Sequence, residues 1–273
     1  MSVSLVIPSR GRPELLGQAV NAALSNATLD TTRIVVGLDT DDETTARIEL
    51  PIGVIRSIAE REDSLGAKYN RCQRAHRADL YVLGSDDVAM ITPGWDAKLD
   101  ECAKIFPDQI GAIYFSDMPG VFQAGQAVTH RLVVLMGYLC QPYTPFWWHD
   151  TWLDEIAQMI GRIVKPSPDV RMEAIGPIAK SRGLREIAYW AKFFDNTRPQ
   201  RREIADLIIE VMNHKAWARI RADMMLPMFE YRNSILRNPD KAASFEQNNG
   251  FDAPADERYL RIKAVAAEIL KAA

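Results

Sequence analysis

The stretch Ala78-Asp-Leu-Tyr-Val-Leu-Gly-Ser-Asp-Asp-Val-Ala-Met-Ile-Thr-Pro-Gly-Trp-Asp96 decides how the rest of the chain is read. Its apolar run, Leu80 to Leu83, is cut short by Gly84-Ser85 and followed at once by two carboxylates, Asp86 and Asp87. Consecutive apolar residues with Tyr and Val among them suit a central strand of a parallel sheet, buried on both faces. Open sheets of that kind take ligands just beyond the carboxyl ends of their strands, which is where both acids stand. Adjacent like charges are costly unless a cation or hydrogen-bond donors offset them. A hard divalent ion carrying phosphate oxygens is one such cation. An isolated Asp-Asp pair more often marks a plain turn, but here Pro93-Gly94-Trp95 restarts the chain as a helix a few residues on.

Working outward, the same strand-then-helix order repeats. Val3 to Ile7 is an apolar run closed by Pro8, and Pro13 opens a segment with Leu15, Leu16, Ala19, Val20 and Ala23 at helical spacing. The loop between them, Ser9-Arg10-Gly11-Arg12, places forked cations at another strand end, suited to a phosphate or a base and equally to a solvated turn. Ile34 to Leu38 is a second strand, with Asp39 directly after it and Asp41 and Asp42 read as helix-capping charge. Val54 to Ile58 is a third strand, and Ser64 caps a helix with Leu65, Tyr69 and Cys72 on one face. Lys68 lies off that stripe, placed either to meet a phosphate or to be solvated. The helix from Gly94 turns Trp95, Leu99, Cys102 and Phe106 inward, and Ile110 to Phe115 is the next strand. Asp117 to Thr129 reads as a long irregular loop, followed by a helix from His130 to Leu139. Phe146, Trp147 and Trp148 then stand directly before His149-Asp150 and a helix from Thr151 to Val164.

Three of these pieces in register resemble the GT-A-type nucleotide-sugar glycosyltransferases of the inverting, family-2-like kind. They are Ser4-Leu-Val-Ile-Pro-Ser-Arg-Gly-Arg-Pro13, Gly37-Leu-Asp-Thr-Asp-Asp42, and Ser85-Asp-Asp with the downstream Pro-Gly-Trp. The resemblance covers roughly the first 150 to 175 residues. It implies an α/β GT-A fold, Rossmann-like, with a mostly parallel sheet flanked by helices. To this we add a C-terminal helical subdomain, placing the catalytic domain at 1–176 and the helical part at 177–273.

By the same resemblance Pro8, Ser9 and Arg10 belong to the nucleotide-cradling loop and Asp39 accepts from the base. Gly66 and Asn70 match a spaced pair in the following helix; Asp87 holds a divalent metal (Mn or Mg), with Asp86 supporting ribose or metal and Arg10 or Lys68 the phosphates. Asp150 matches the catalytic base. Trp147, Trp148, His149 and Arg198 are assigned to the acceptor side, since sugars pack their C–H faces on aromatic rings. His149 is also placed to ligate metal or touch donor phosphate. Relatives carry a late metal-binding His that Met172 to Pro177 lacks; His149, His130 or His214 are its candidate substitutes.

Composition narrows the partners. The 273 residues carry a net charge of -3, against holding nucleic acid by bulk electrostatics. From Lys165 to Arg202, however, nine Lys or Arg face four Asp or Glu. That excess keeps a hydroxymethylated base in virus DNA among the acceptors, beside a glycan; the polar faces of surface helices account for it equally. Arg198, Arg201 and Arg202 are its most conspicuous members. Cys72, Cys102 and Cys140 lack the close spacing of zinc or disulfide frameworks and read as reduced core residues. The first residues form a strand rather than a leader, and no run approaches the roughly 18 apolar residues a span requires, so a cytoplasmic protein (host cytoplasm if viral) is expected.

Lys165-Pro-Ser-Pro168 marks a boundary, Asp169 to Ile175 a last strand, and the sequence from Ser181 onward is helical, broken at Pro227, Pro239 and Pro254. Function follows as metal-assisted, inverting transfer of a hexose or pentose from a nucleoside diphosphate sugar to a hydroxyl. The alternative is a catalytically inactive nucleotide-sugar-binding or scaffold protein. Nucleotidyl transfer wants a first loop richer in Gly than Ser9 to Arg12.

Overall fold

A computed structural model describes residues 1–115, 125–164, 170–176, 185–212, 233–249 and 255–272. The chain divides into two compact units, the first made of Met1–Arg61, Lys68–Leu139 and Arg162–Ile178, the second of Glu62–Ala67, Cys140–Gly161 and Ala179–Ala273.

The first unit begins with β1 (Val3–Pro8), α1 (Pro13–Asn26), β2 (Arg33–Asp39), the short α2 (Glu43–Ala46) and β3 (Ile55–Ala59). Next come α3 (Leu65–Ala75), β4 (Leu80–Leu83), β5 (Val88–Met90), α4 (Trp95–Ala103), β6 (Ala112–Phe115), β7 (Gly125–Thr129) and α5 (His130–Met136). After α6 (His149–Met159) of the second unit come β8 (Ile163–Val164) and β9 (Met172–Ala174). The rest of the second unit is helical: α7 (Ile187–Asn196), α8 (Arg198–Met212), α9 (Pro239–Asn249) and α10 (Glu257–Ala272). The expected α/β class, with a mostly parallel sheet and a helical C-terminal part, is present.

Seven strands form one sheet in the order β3-β2-β1-β4-β7-β6-β8. β1 lies between β2 and β4 and is parallel to both, with Pro8 opposite Gly37 and Val6 opposite Leu83. Being central, β1 and β4 are buried along their whole length, which is why their runs are near-continuously apolar rather than alternating, with Ser4 of β1 buried among them. The chain runs outward from β1 through β2 to β3 and then returns to β4 on the other side of β1. That reversal opens a crevice at the carboxyl ends of β1 and β4. Gly84 lets the chain leave β4 close against β1: a Cβ there would fall 2.9 Å from Leu5 and 3.2 Å from the Val6 carbonyl oxygen.

Beneath the sheet, Leu16, Ala19, Val20 and Ala23 of α1 and Trp95 and Leu99 of α4 join Leu5, Ile7, Val36 and Val82 in one core. Trp95 is fully buried and its indole N–H donates to the Ala23 carbonyl (3.0 Å). Its neighbour Asp96, also fully buried, accepts from the Thr28 and Leu29 amides and the Thr32 hydroxyl (2.8–3.1 Å and 2.6 Å). One carboxylate thereby ties the turn after α1 to the start of α4, a role the sequence pattern did not reveal.

Several expectations need correction. The end of the region read as loop, Gly125 to Thr129, is β7, lying antiparallel between β4 and β6 in the middle of the sheet. Its Gly and Gln hid it, although Gln126 is buried. Residues 116–124 lie outside the described residues. The helix expected to reach Val164 stops at Met159, because Ile163-Val164 pairs with β6. Met172–Ala174 is indeed a strand, but it pairs with β5 in a separate two-stranded sheet. Pro239 opens α9 rather than merely breaking a helix, as proline at the first helical position allows. The boundary at 165–168, the start at Ser181, His214, Pro227 and Pro254 lie outside the described residues.

Candidate functional site

The crevice beside β1 is closed by side chains from three adjacent strand ends. Ser9, one residue past β1, donates its hydroxyl to Asp86 Oδ2 (2.7 Å). Asp86 and Asp87 follow β4 and are 1% and 8% exposed. Arg12 spans both of them, one guanidinium nitrogen on Asp86 Oδ1 and the other on Asp87 Oδ2 (3.1 Å). Ser85 donates to the other Asp87 oxygen (2.5 Å). Burial pushes the Asp86 carboxyl above its ordinary range, although the Ser9 hydroxyl and the Arg12 charge pull the other way.

The end of β2 supplies a second knot. Asp39, its last residue and 1% exposed, meets Lys68 Nζ at 2.7 Å, Arg10 at 3.1 Å and Arg71 at 3.5 Å. Lys68 also donates to the Ser9 carbonyl (2.8 Å), joining the two knots. Lys68 is not solvated: it is 7% exposed and its ammonium is held at the strand ends by Asp39 and the Ser9 carbonyl. Arg10 continues to Asp41 through two hydrogen bonds (2.5 and 3.0 Å). Asp42 caps α2 and accepts the Gly11 amide (2.6 Å), which shapes the loop after β1. Burial opposes ionisation of Asp42, yet the hydrogen bonds from Thr45, Gly11 and Thr44 outweigh it and hold the group at about 2.

Pro8, Ser9, Arg10, Asp39, Lys68, Asp86 and Asp87 are therefore gathered at one edge of one sheet. Asn70 is used locally: its Oδ1 accepts the Leu139 amide (2.9 Å). Arg71 was not singled out from the sequence, and Arg12 was read only as one of two loop cations suited to a phosphate, a base or solvent, not as the partner of Asp86 and Asp87. Arg12 is indistinguishable there from any basic turn residue, and Arg71 from any helix-surface arginine.

Asp86 and Asp87 are the hard oxygen donors a divalent ion prefers, and such ions commonly take only one or two carboxylates beside water and phosphate. Among the described residues no group of three His, Cys, Asp or Glu is placed to hold an ion. The pair fits a metal of that few-ligand kind, because a cationic group, the Arg12 guanidinium, already lies across both carboxylates. His130 does not replace the missing late His: its ring meets the Tyr81 hydroxyl (3.3 Å) and its amide the Asp79 carbonyl, at the opposite end of β4.

In the second unit, Trp148 is the N-cap of α6 with φ +68°, so His149 and Asp150 fall in the first turn. Asp150 is exposed, and its Oδ1 accepts the Thr151 amide (2.7 Å). A carboxylate in the first turn lies at the positive end of the helix dipole. His149 Nδ1 meets the Phe146 carbonyl (2.8 Å). Trp148 is buried and donates to Asn233 (3.1 Å), while Trp147 packs edge-on against Phe245, ring centroids 4.9 Å apart. Arg198 pairs with Glu155 (3.0 Å). Arg201, expected in a surface basic patch, is instead fully buried: it bonds to Glu155 and lies over the rings of Phe194 (3.9 Å) and Trp152 (4.6 Å). Its desolvation is offset by that carboxylate and by the two faces it stacks on.

No family profile matches the chain, and no curated protein sequence does. Solved structures do. A mannosyltransferase of Pyrobaculum calidifontis, PcManGT, in complex with GDP-mannose and Mn2+, is 15% identical, with 99% of this chain and 85% of that one covered and a TM-score of 0.54. TarS of S. aureus is 11% identical, covering 89% of this chain and 49% of that one, with a TM-score of 0.53. Likeness at such identities shows the fold alone, and the fold is the GT-A α/β architecture.

Proposed function

We propose that the chain is a glycosyltransferase that moves a sugar from a nucleoside diphosphate sugar to a hydroxyl acceptor with inversion. The observation that carries this reading is the joining, at the crevice beside β1, of Ser9, Arg12, Asp86 and Asp87 to Arg10, Asp39 and Lys68. The cations there (Arg10, Arg12, Lys68, Arg71) already face carboxylates (Asp39, Asp41, Asp86, Asp87), so an incoming diphosphate needs further positive charge. A divalent ion on Asp87 supplies it when bound, neutralising the leaving diphosphate. PcManGT, of the same fold, was solved with GDP-mannose and Mn2+, which supports this choice of donor class and ion.

Asp39, whose Oδ1 is ion-paired with Lys68 but has no hydrogen-bond partner among the described residues, is assigned to the base of the nucleotide. Arg10 and Lys68 orient the phosphates as charge and hydrogen-bond donors. Asp86 supports the ribose or the ion. Asp150, exposed in the first turn of α6, is assigned as the base that takes the acceptor proton. Trp147 and His149 serve the acceptor side. Arg201 is buried and Arg198 paired with Glu155, so two of the three arginines singled out are committed within the fold, which favours a glycan hydroxyl over a modified DNA base as acceptor.

A thermal-shift panel of nucleoside diphosphates, each with and without Mn2+, tests the site, and hydrolysis or transfer from the matching nucleotide sugar tests the chemistry. A selective, metal-enhanced rise in melting temperature followed by sugar release is expected. Stabilisation without turnover selects the inactive nucleotide-sugar-binding protein. No stabilisation by any nucleotide refutes the assignment.

A further inference from the structure

Arg12 holds the two carboxylates that the proposed function gives to a metal ion. One nitrogen of its fork lies on Asp86 and another on Asp87, so a single side chain neutralises both. Its Nε is buried and, among the described residues, has no acceptor. A buried donor left without a partner carries a cost of its own, and this one lies beside the same pair, ready for an oxygen that arrives with a ligand. The residue sits between Gly11, at φ +68°, and Pro13, the first residue of α1, on a loop whose Gly11 amide is fixed by Asp42. The backbone is therefore anchored while the side chain above it is free to exchange partners by rotamer changes alone.

We propose that Arg12 is a built-in counter-cation that competes with the divalent ion for Asp86 and Asp87, and so sets the metal affinity of the nucleotide-free protein. The inference rests on reading the pair as a cation site. A bidentate guanidinium and a hard dication cannot share the same carboxylate oxygens, so each weakens the other by the same factor. When the ion enters, the fork is released with its donors available to a diphosphate oxygen. Metal and diphosphate thus bind with positive coupling, and the ion alone binds weakly.

The test is Mn2+ binding by the full-length chain without nucleotide, read by electron paramagnetic resonance of the free ion. Arg12→Gln, which keeps a polar side chain but removes the charge, is expected to bind Mn2+ about tenfold or more tightly than wild type, and Arg12→Lys to fall between. Coupling to GDP or UDP is expected to shrink in Arg12→Gln. Mg2+ titration of the unsubstituted chain, followed at the Arg12 Nε–H resonance, gives a readout that does not depend on a variant folding. A shift of that resonance on saturation supports the exchange. Mn2+ affinity unchanged or lowered in Arg12→Gln, or an unmoved Arg12 resonance, overturns the competition while leaving the transferase reading in place. Failure of every chain to bind Mn2+, with or without nucleotide, overturns the competition together with the metal assignment, and sugar release in metal-free buffer then decides the transferase reading separately.

Discussion

Replacing Lys68 with Met removes one buried charge from the junction of three strands while keeping most of the side-chain volume. In the native chain its ammonium pairs with Asp39 at 2.7 Å and donates to the Ser9 carbonyl at 2.8 Å, with the two charged side chains 9% and 1% exposed. Orphaning one member of a buried ion pair costs roughly 3–5 kcal/mol. Here Arg10 at 3.1 Å and Arg71 at 3.5 Å still face Asp39, so the electrostatic loss falls to about 2 kcal/mol, and the Ser9 carbonyl adds about 1 kcal/mol for its lost donor. About 3 kcal/mol in all is expected from urea unfolding of the first unit. The sharper measurement is a cycle of Lys68→Met, Asp39→Asn and the double variant. Asp39→Asn alone leaves three cations converging on a neutral amide, whereas the double variant relieves part of that repulsion. A coupling of about 1.5 kcal/mol or more is expected. A coupling below about 0.5 kcal/mol would refute the claim that this pair joins the strand ends.

Asp150→Asn is expected to lower kcat by about 10²–10⁴-fold with little change in donor KM, since it removes a proton acceptor and no donor contact; steady-state kinetics decide it, and an unchanged kcat removes Asp150 from the role of base. Gly66→Ala is expected to destabilise the chain by about 2–3 kcal/mol, because its Cβ would overlap the backbone carbonyl of Gln141; a melting temperature within a degree or so of wild type contradicts the close approach. On acidification, Asp42 supplies a defined part of the stability loss. Its folded value of about 2 lies below the ordinary 3.8, so its contribution is fully present above about pH 4 and disappears as pH falls through about 2. Asp42→Asn removes that contribution at neutral pH and is expected to flatten the acid limb of stability by about 1–2 kcal/mol; an acid limb identical to wild type rules the attribution out.

Much of the first unit was legible from residue order alone. Near-continuous apolar runs at Val3 to Ile7, Ile34 to Leu38 and Leu80 to Leu83 mark strands buried on both faces, and the helical spacing after Pro13 supplies the layer that covers them. The acids that follow such runs are necessarily delivered to one edge of a parallel sheet, so Asp39, Asp86 and Asp87 could be placed together without coordinates. β7 escaped because Gly125-Gln126 looks like a turn, yet hydrogen bonding to both neighbours lets a strand in mid-sheet tolerate them.

What residue order could not decide was which charges neutralise which. Arg10, Arg12 and Lys68 read as cations for a phosphate or for solvent, and Arg71 drew no reading, because a long flexible side chain reaches many partners and its choice is set by burial and by neighbouring strands. Only the packing of α3 against the strand ends turned Lys68 inward to Asp39, and only the crevice between β1 and β4 brought Arg12 across both carboxylates. Likewise Arg201, one of a run of basic residues in sequence, is drawn inside by Glu155 and two aromatic faces. Local pattern determines strands, helices and the edge where acids gather, since these depend on side-chain period and chain direction. The pairing of charge with charge belongs to tertiary structure, since it depends on distances across the sheet and on how much water the fold removes from between them.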